Sequence, residues 1–280
     1  MEDATMALSI NTNTGAMLAL QNLNKTNMHL EEVQKRINTG LEVASAKDDG
    51  GTYAIAQRMR AQVGGYGVVQ QSLDMSMSIT DVALAAGEAI SDLLIEMKEK
   101  ALAAADVSLD SSSRTALNED FKALRDQVAT IVSNAEFNGT NLINNSVSSI
   151  TALANSDGSN TLRISDENMS LGGGVVTLAA TASFATAGDA STIVTTIETS
   201  LDNLNQSLAR LGTGAKAVEV HKSFVTKLSD ALETGIGALV DADMAKESAR
   251  LQALQVKQQL GVQALSIANQ APGTITSLFG

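Results

Sequence analysis

The chain of 280 residues has no cysteine, no tryptophan and a single proline, and only 2% of its residues are aromatic. Absent cysteine excludes disulfide bridges and thiolate chemistry. Scarce aromatics exclude a core built on large rings. Ala, Leu, Val, Ile and Met must fill it instead, and such side chains suit close helix–helix packing. Basic residues are also outnumbered, 19 Lys and Arg against 31 Asp and Glu, giving a net charge of −12, and no basic block stands out. Nucleic acid is therefore not expected as a partner. A membrane partner is not expected either, because no stretch approaches the ~20 predominantly apolar residues of a spanning helix. Residues 1–5, MEDAT, are acidic where a secretory signal would be basic, so no cleaved signal peptide is expected.

Charge itself is missing at both ends. Residues 258–280, QQLGVQALSIANQAPGTITSLFG, contain no Asp, Glu, Lys or Arg, and neither do residues 4–24. In each stretch nine residues are Gln, Asn, Ser or Thr. These ends avoid charge without resembling lipid-facing segments. Burial against other helices suits them, since amides and hydroxyls can share hydrogen bonds whereas an unpaired buried charge is strongly unfavourable.

What is present is helical periodicity. Leu20, Leu23, Asn27, Leu30, Gln34, Ile37 and Leu41 alternate steps of three and four, a heptad seam that ends near Gly40. A second seam, Ile79, Val82, Ala86, Ile90, Leu93 and Met97, belongs to a long helix over about 52–105. A third, Leu117, Phe121, Leu124, Val128 and Ile131, starts after SLDSSS, whose Asp and Ser are good caps. The short break at 107–112 should fold these two helices back on each other. Residues 138–185 then turn rich in Gly, Ser, Thr and Asn. SITALANSDGSNTLRIS reads as two strands around the Asp157–Gly158 turn, and GGGVVTLAA at 172–180 as a candidate third. Helix resumes near 189 with Ile193, Ile197, Leu201, Leu204, Leu208 and Leu211. GTGAKA at 212–217 reads as an interruption before Phe224, Leu228 and Leu232. A last seam is Met244, Leu251, Leu254, Leu265 and Ala268, with Gln258 and Gly261 in phase, and the helix should stop by Pro272. The fold class expected is mainly α: an elongated antiparallel helical bundle or coiled coil built from both chain ends, with a small β-rich insert mid-chain.

No catalytic chemistry can be assembled. The two histidines, His29 and His221, have no second His or Cys for a metal site. RLGTGAK lacks the Gly-Lys-Ser/Thr ending of a phosphate loop. Asp48 and Asp49 in SAKDDGG, and Asp241 and Asp243 in DAD, read as weak cation sites or, better, as helix caps in linkers. No enzyme activity and no cofactor are expected.

The motifs, in order, resemble bacterial flagellin. SINTN (9–13), LNK (23–25), RINTG (36–40), SAKDD (45–49) and AIAQR (54–58, ending on Arg58) resemble the family's N-terminal core. Phe137, Asn138 and Gly139 resemble the motif closing its second long helix. DAD (241–243), Glu247, Gln255, Gln258, Gln259, Leu265, Asn269 and Gln270 in ANQ (268–270), and Pro272 resemble the C-terminal core. KEKALAA (98–104), ANSDGS (154–159) and the short middle look like the compact flagellins of alphaproteobacteria, which lack the variable outer domains.

The resemblance implies a structural subunit that self-polymerises into the flagellar filament for motility. Residues 6–44 and 238–280 would be paired inner-core helices, 45–140 and 188–237 outer-core helices, and 141–187 the β-rich insert. Assembly would rest on inner-core seams of Leu20, Leu23, Asn27, Leu30, Ile37, Leu251, Leu254, Gln258, Leu265 and Ala268. Implied partners are copies of the chain, other flagellins, an export chaperone, the filament cap and the hook-junction proteins, after type III export without a cleaved signal. Lys98 and Lys100 depart from the Arg and Leu that the host Toll-like receptor recognises in the family, and Lys222-Ser223-Phe224 replaces its Asn-Arg-Phe. The alternative within the superfamily is a hook–filament junction protein. A membrane-active type III translocator would need a sustained apolar hairpin, and the sequence has none.

Overall fold

The computed structural model describes the backbone of residues 12–276 and the side chains of residues 12–270. Five helices carry most of that chain: α1 (Thr14–Thr39), α2 (Gly50–Ala104), α3 (Ser111–Asn134), α4 (Ala187–Val240) and α5 (Met244–Thr276). Two small antiparallel hairpins lie between α3 and α4: β1 (Glu136–Phe137) with β2 (Thr140–Asn141), and β3 (Ser149–Leu153) with β4 (Thr161–Ser165).

The described chain divides into two compact units. One comprises α1, α5 and the adjoining parts of α2 and α4, up to Arg60 and from Leu232 onward. The other is Ala61–Ala231.

The second unit holds the main core. Along α2 the buried positions Val69, Leu73, Ser76, Thr80, Ala83, Gly87, Ile90, Leu94, Met97, Ala101 and Ala104 alternate steps of four and three, with Ile79 buried beside them. Along α4 they are Ala190, Ile193, Ile197, Ser200, Leu204, Ser207 and Leu211, resuming at Val218 and Val225. Both are heptad seams. The expected second seam shares Ile90 and Met97 with the observed one but otherwise runs one position off, with Ile79 beside the seam residue Thr80. The cause is that Ser76, Thr80 and Gly87 occupy seam places where small side chains let backbones approach. Buried Thr80 donates its hydroxyl to its own helix, to Ser76 O at 2.8 Å, so it costs no unpaired group. Phe224, expected in the α4 stripe, is 56% exposed and lies 5.9 Å from the His221 ring.

Helix α3 begins where Asp110 accepts from the amides of Ser112 and Ser113, both at 2.9 Å, and it buries Phe121, Val128 and Val132. The Ser113 hydroxyl, which donates to Asp110 at 2.6 Å, and then these amides favour the ionised carboxylate and hold the Asp110 pKa below its ordinary value. Arg114 closes the preceding helix end, donating to the carbonyls of Ala104, Asp106 and Leu109. The first is an acceptor left over at the C-terminus of α2, and the other two lie in the connection to α3. Phe121 meets Phe184 with ring centroids 5.2 Å apart.

Phe137-Asn138-Gly139-Thr140 is a two-residue hairpin, with Asn138 and Gly139 both at positive φ, 49° and 76°. That is the geometry for which Asn-Gly is the favoured pair. The β3–β4 hairpin forms as expected, turning at Gly158 with φ 71°. GGGVVTLAA is not a strand. Its amides bond within the loop and to side chains instead: Gly172 to Leu178 O, Val175 to Asn168 O, and Thr177 to Ser200 Oγ. Val175, Val176 and Leu178 are nonetheless buried, which is the apolar signal that suggested a strand.

GTGAKA is not an interruption, since α4 runs unbroken from Ala187 to Val240. A Cβ at Gly214 would stand 3.3 Å from Cγ1 and Cγ2 of Ile164 on β4. The glycine is a notch for the hairpin. Gly65 on α2 is its counterpart, where a Cβ would come within 2.7 Å of Ser156 Cβ at the hairpin tip. His221 Nε2 lies 2.7 Å from Ala154 O, and since a carbonyl only accepts, this nitrogen carries the proton.

Candidate functional site

The feature that the charge-free ends create is the antiparallel contact of α1 with α5. Its face on α1 consists of the part-buried Ala16, Ala19, Leu23, Asn27, Leu30 and Ile37 and the buried Val33. Leu20 is corrected: it is 47% exposed, and Ala19 takes the inward place. Ala16 and Ala19 are small, so the first turns of α1 approach α5 on methyl groups rather than on the bulkier Leu20. Gln34 is likewise exposed. The α5 face is Glu247, Leu251, Leu254, Gln258, Gly261, Leu265 and Ala268. Met244 is 43% exposed and stands outside it.

Specific contacts fix the pairing. Gln258 Nε2 donates to Asn27 Oδ1 at 2.8 Å, one amide reading another across the seam. A Cβ on Gly261 would meet Leu23 Cδ1 at 3.2 Å, so the glycine makes room for the leucine. At the far end Glu247, 4% exposed, pairs with Arg250 at 2.7 Å and Arg36 at 3.6 Å. Arg36 also reaches Glu32 at 2.9 Å and Glu42 at 3.6 Å. Beyond that point the two interhelix connections tie together. Glu42 N donates to Val240 O at 2.7 Å, Ala242 N to Gly40 O at 2.9 Å, and Leu41 bridges Asp241. Gly40 allows this by taking φ 71° as the α1 cap.

The paired carboxylates act as caps and staples. Asp48 accepts from Lys35 Nζ at 3.0 Å and from the Ser45 amide and hydroxyl at 2.9 and 3.0 Å. The Lys35 bond, aided by Ser45, holds its pKa down at about 2. Asp49 accepts from the Gly51 and Thr52 amides at the start of α2. Asp243 does the same for Ala245 and Lys246 at the start of α5. Among the described residues no three His, Cys, Asp or Glu gather as a metal site, and no helix is long and apolar enough to cross a membrane. Arg58, Asn269 and Gln270 are exposed, and Phe137 is 38% exposed. In the second unit, Lys98 pairs with Glu198 and Lys100 with Asp120, each at 2.9 Å.

The helix does not stop at Pro272, since α5 continues to Thr276. The carbonyl that a proline at 272 leaves without a helical donor is that of Ala268. Asn13 Nδ2 donates to it at 2.6 Å. Sequence reasoning placed Asn13 only inside a motif, although its position just before a helix is an N-cap signal. Residues 4–11 of the first charge-free stretch, residues 277–280 of the second and the Pro272 side chain lie outside the described residues.

The seam has a second side. Met17, Leu18, Leu20 and Met28 on α1 are 64, 59, 47 and 61% exposed, and Val256, Leu260, Val262 and Ile267 on α5 are 55, 57, 55 and 68% exposed. Both helices thus carry apolar residues on the faces turned away from each other, a pattern that suits helices meeting further helices.

Fold and seam together define a helical structural protein that pairs its two chain ends. Residues 10–148 match the bacterial flagellin N-terminal helical region, and residues 194–279 the bacterial flagellin C-terminal helical region. Flagellin FljM of Caulobacter vibrioides is 53% identical over 98% of this chain and 100% of its own length. Flagellin FljJ of the same organism is 46% identical over 98% and 99%. A flagellin of Brucella melitensis is 36% identical over 97% and 99%. The chain belongs to the bacterial flagellin family. It is a structural subunit of a flagellar filament, polymerising with copies of itself or with other flagellins, and not an enzyme.

Proposed function

We propose that the α1–α5 pair is the assembly element of the filament. Residues 6–44 and 238–280 form its inner core, residues 45–140 and 188–237 its outer core, and residues 141–187 the β-rich insert. Leu23, Asn27, Leu30 and Ile37 close on Leu251, Leu254, Gln258, Leu265 and Ala268 within a subunit. The outward residues Met17, Leu20, Met28, Val256, Leu260 and Ile267 meet neighbouring subunits. The observation that carries this reading is the pair of exposed apolar faces on two helices already packed together. Uncovered, such faces favour association by ~25 cal/mol for each Å² of apolar surface removed from water. The charge-free tips let that burial proceed without desolvating an ion.

On this reading the subunit leaves the cell through the flagellar type III route without a cleaved signal. It meets an export chaperone on the way and the cap and hook-junction proteins at the filament ends. Lys98 and Lys100 stand where the family's receptor-recognised Arg and Leu would be, so recognition by the host receptor is not expected. Deletion of residues 258–280 tests the assembly element. The shortened chain should stay soluble under precipitant that drives the full chain into filaments, and filaments from the shortened chain would refute the reading.

A further inference from the structure

A side-chain amide at one end of α1 meets the backbone vacancy that a proline opens in α5. Pro272 has no N–H, so Ala268 O lacks the donor that every interior helical carbonyl expects four residues on. Asn13 fills both gaps. Its Oδ1 accepts from the Ala16 amide at 2.9 Å, capping α1, while its Nδ2 donates to Ala268 O at 2.6 Å. Ser, Thr or Asp would cap but offer no amide donor at that reach, and Ala would do neither. The position calls for a short arm that bears an acceptor and a donor together.

We propose that Asn13 is a positioning residue for assembly, one that sets the axial register of α1 on α5 by recognising the carbonyl freed by Pro272. This rests on the reading of the α1–α5 pair as the assembly element. Glu247, Arg36 and the tied connections anchor the pair at its far end, whereas the Leu and Ala contacts toward the tip can re-form after a shift of one turn, ~5.4 Å. A shift by one turn toward the start of α5 would bring Asn13 to a carbonyl whose helical donor is already in place. Ala268 O is different, since no amide stands four residues on to satisfy it. Asn13 to Ala268 and Gln258 to Asn27 then give two polar check-points along the pair, at its tip and at its middle. Correct register aligns the outward apolar faces of both helices as one surface for neighbouring subunits.

A double-mutant cycle on the full chain tests this, with Asn13→Ser, which keeps a cap, and Pro272→Ala, which restores the helical N–H. The critical concentration for filament formation should rise about five-fold on Asn13→Ser, the scale of one net hydrogen bond. In the Pro272→Ala background the same change should move it by less than about two-fold. Equal effects in both backgrounds would overturn the proposal. Failure of the unmutated chain to polymerise would refute the assembly reading instead. In that case the amides of residues 264–270 in the soluble chain decide: faster exchange in Asn13→Ser than in the unmutated chain supports the proposal, and equal exchange overturns it.

Discussion

Glycine-to-alanine substitutions within one helix should change stability in opposite directions according to what each added methyl meets. Gly64 and Gly87 both lie in α2 and in the same compact unit. An interior helical glycine costs about 0.5–1 kcal/mol relative to alanine through backbone entropy. At Gly64 a Cβ meets nothing within 4 Å. Gly64→Ala should therefore stabilise by that amount. At Gly87 a Cβ would stand 2.6 Å from Leu208 Cδ2 and 3.4 Å from Met169 Cε and Sδ. Carbon pairs prefer about 3.5–4.0 Å, so the overlap with Leu208 is close to 1 Å. Leu208 is packed against the core and cannot simply swing into solvent. Overpacking of this kind costs about 1–3 kcal/mol. That cancels or exceeds the propensity gain and leaves Gly87→Ala neutral to about 2 kcal/mol destabilised. The two variants should differ by about 1–3 kcal/mol, or roughly 2–10 °C in melting temperature for a unit of this size. Thermal unfolding of the soluble chain, followed by helical circular dichroism, reads the difference. Gly87→Ala melting at or above Gly64→Ala would refute the argument that glycines in the α2 seam are there for close approach.

Acid should loosen the α1–α2 connection in a defined window. Asp48 has a folded pKa of about 2 against an ordinary 3.8, so its contribution is fully present above about pH 4 and is lost as pH falls toward 2. Asp48→Asn should remove that part of the acid dependence, which monitored unfolding between pH 5 and 2 would show. Gly139→Ala should destabilise by about 1 kcal/mol, because its φ of 76° is unfavourable for an L side chain; denaturant melts check it. Asp166 has its pKa raised, chiefly by burial, and its Oδ1 makes no hydrogen bond. A raised pKa means the ionised form is disfavoured in the fold, so Asp166→Asn should stabilise the chain at pH 7 and less so at pH 4. Melts at both values would show the reverse if the carboxylate is instead held favourably.

The order of the helices and most of their starts were legible because capping and periodicity are local signals. Asp110, Gly40 and Asp243 mark helix boundaries in the sequence as they do in the fold. The α5 face was legible for the same reason, as Leu254, Gln258, Gly261, Leu265 and Ala268 repeat every three or four residues. What eluded the sequence were places where a small or polar residue does the packing. Ser76, Thr80 and Gly87 look like surface in a hydrophobicity pattern, yet they sit in the α2 seam, so the reading slid one position to Val82 and Leu93. Gly212 and Gly214 look like a break, but only the hairpin, remote in sequence, reveals Gly214 as a notch. Pro272 looks like a stop, and a donor 259 positions away in the chain lets the helix pass. Each miss has its cause in a tertiary contact that no local window contains.

The central claim, that the α1–α5 seam drives filament formation while the unit Ala61–Ala231 folds on its own contacts, is tested most directly by electron microscopy of Leu265→Lys. A lysine there puts an ammonium into the seam at a position that is part-buried. The account predicts abundant filaments from the unmutated chain and none from the variant, whose circular dichroism melt of the larger unit stays unchanged. Filaments from the variant at normal yield would contradict it.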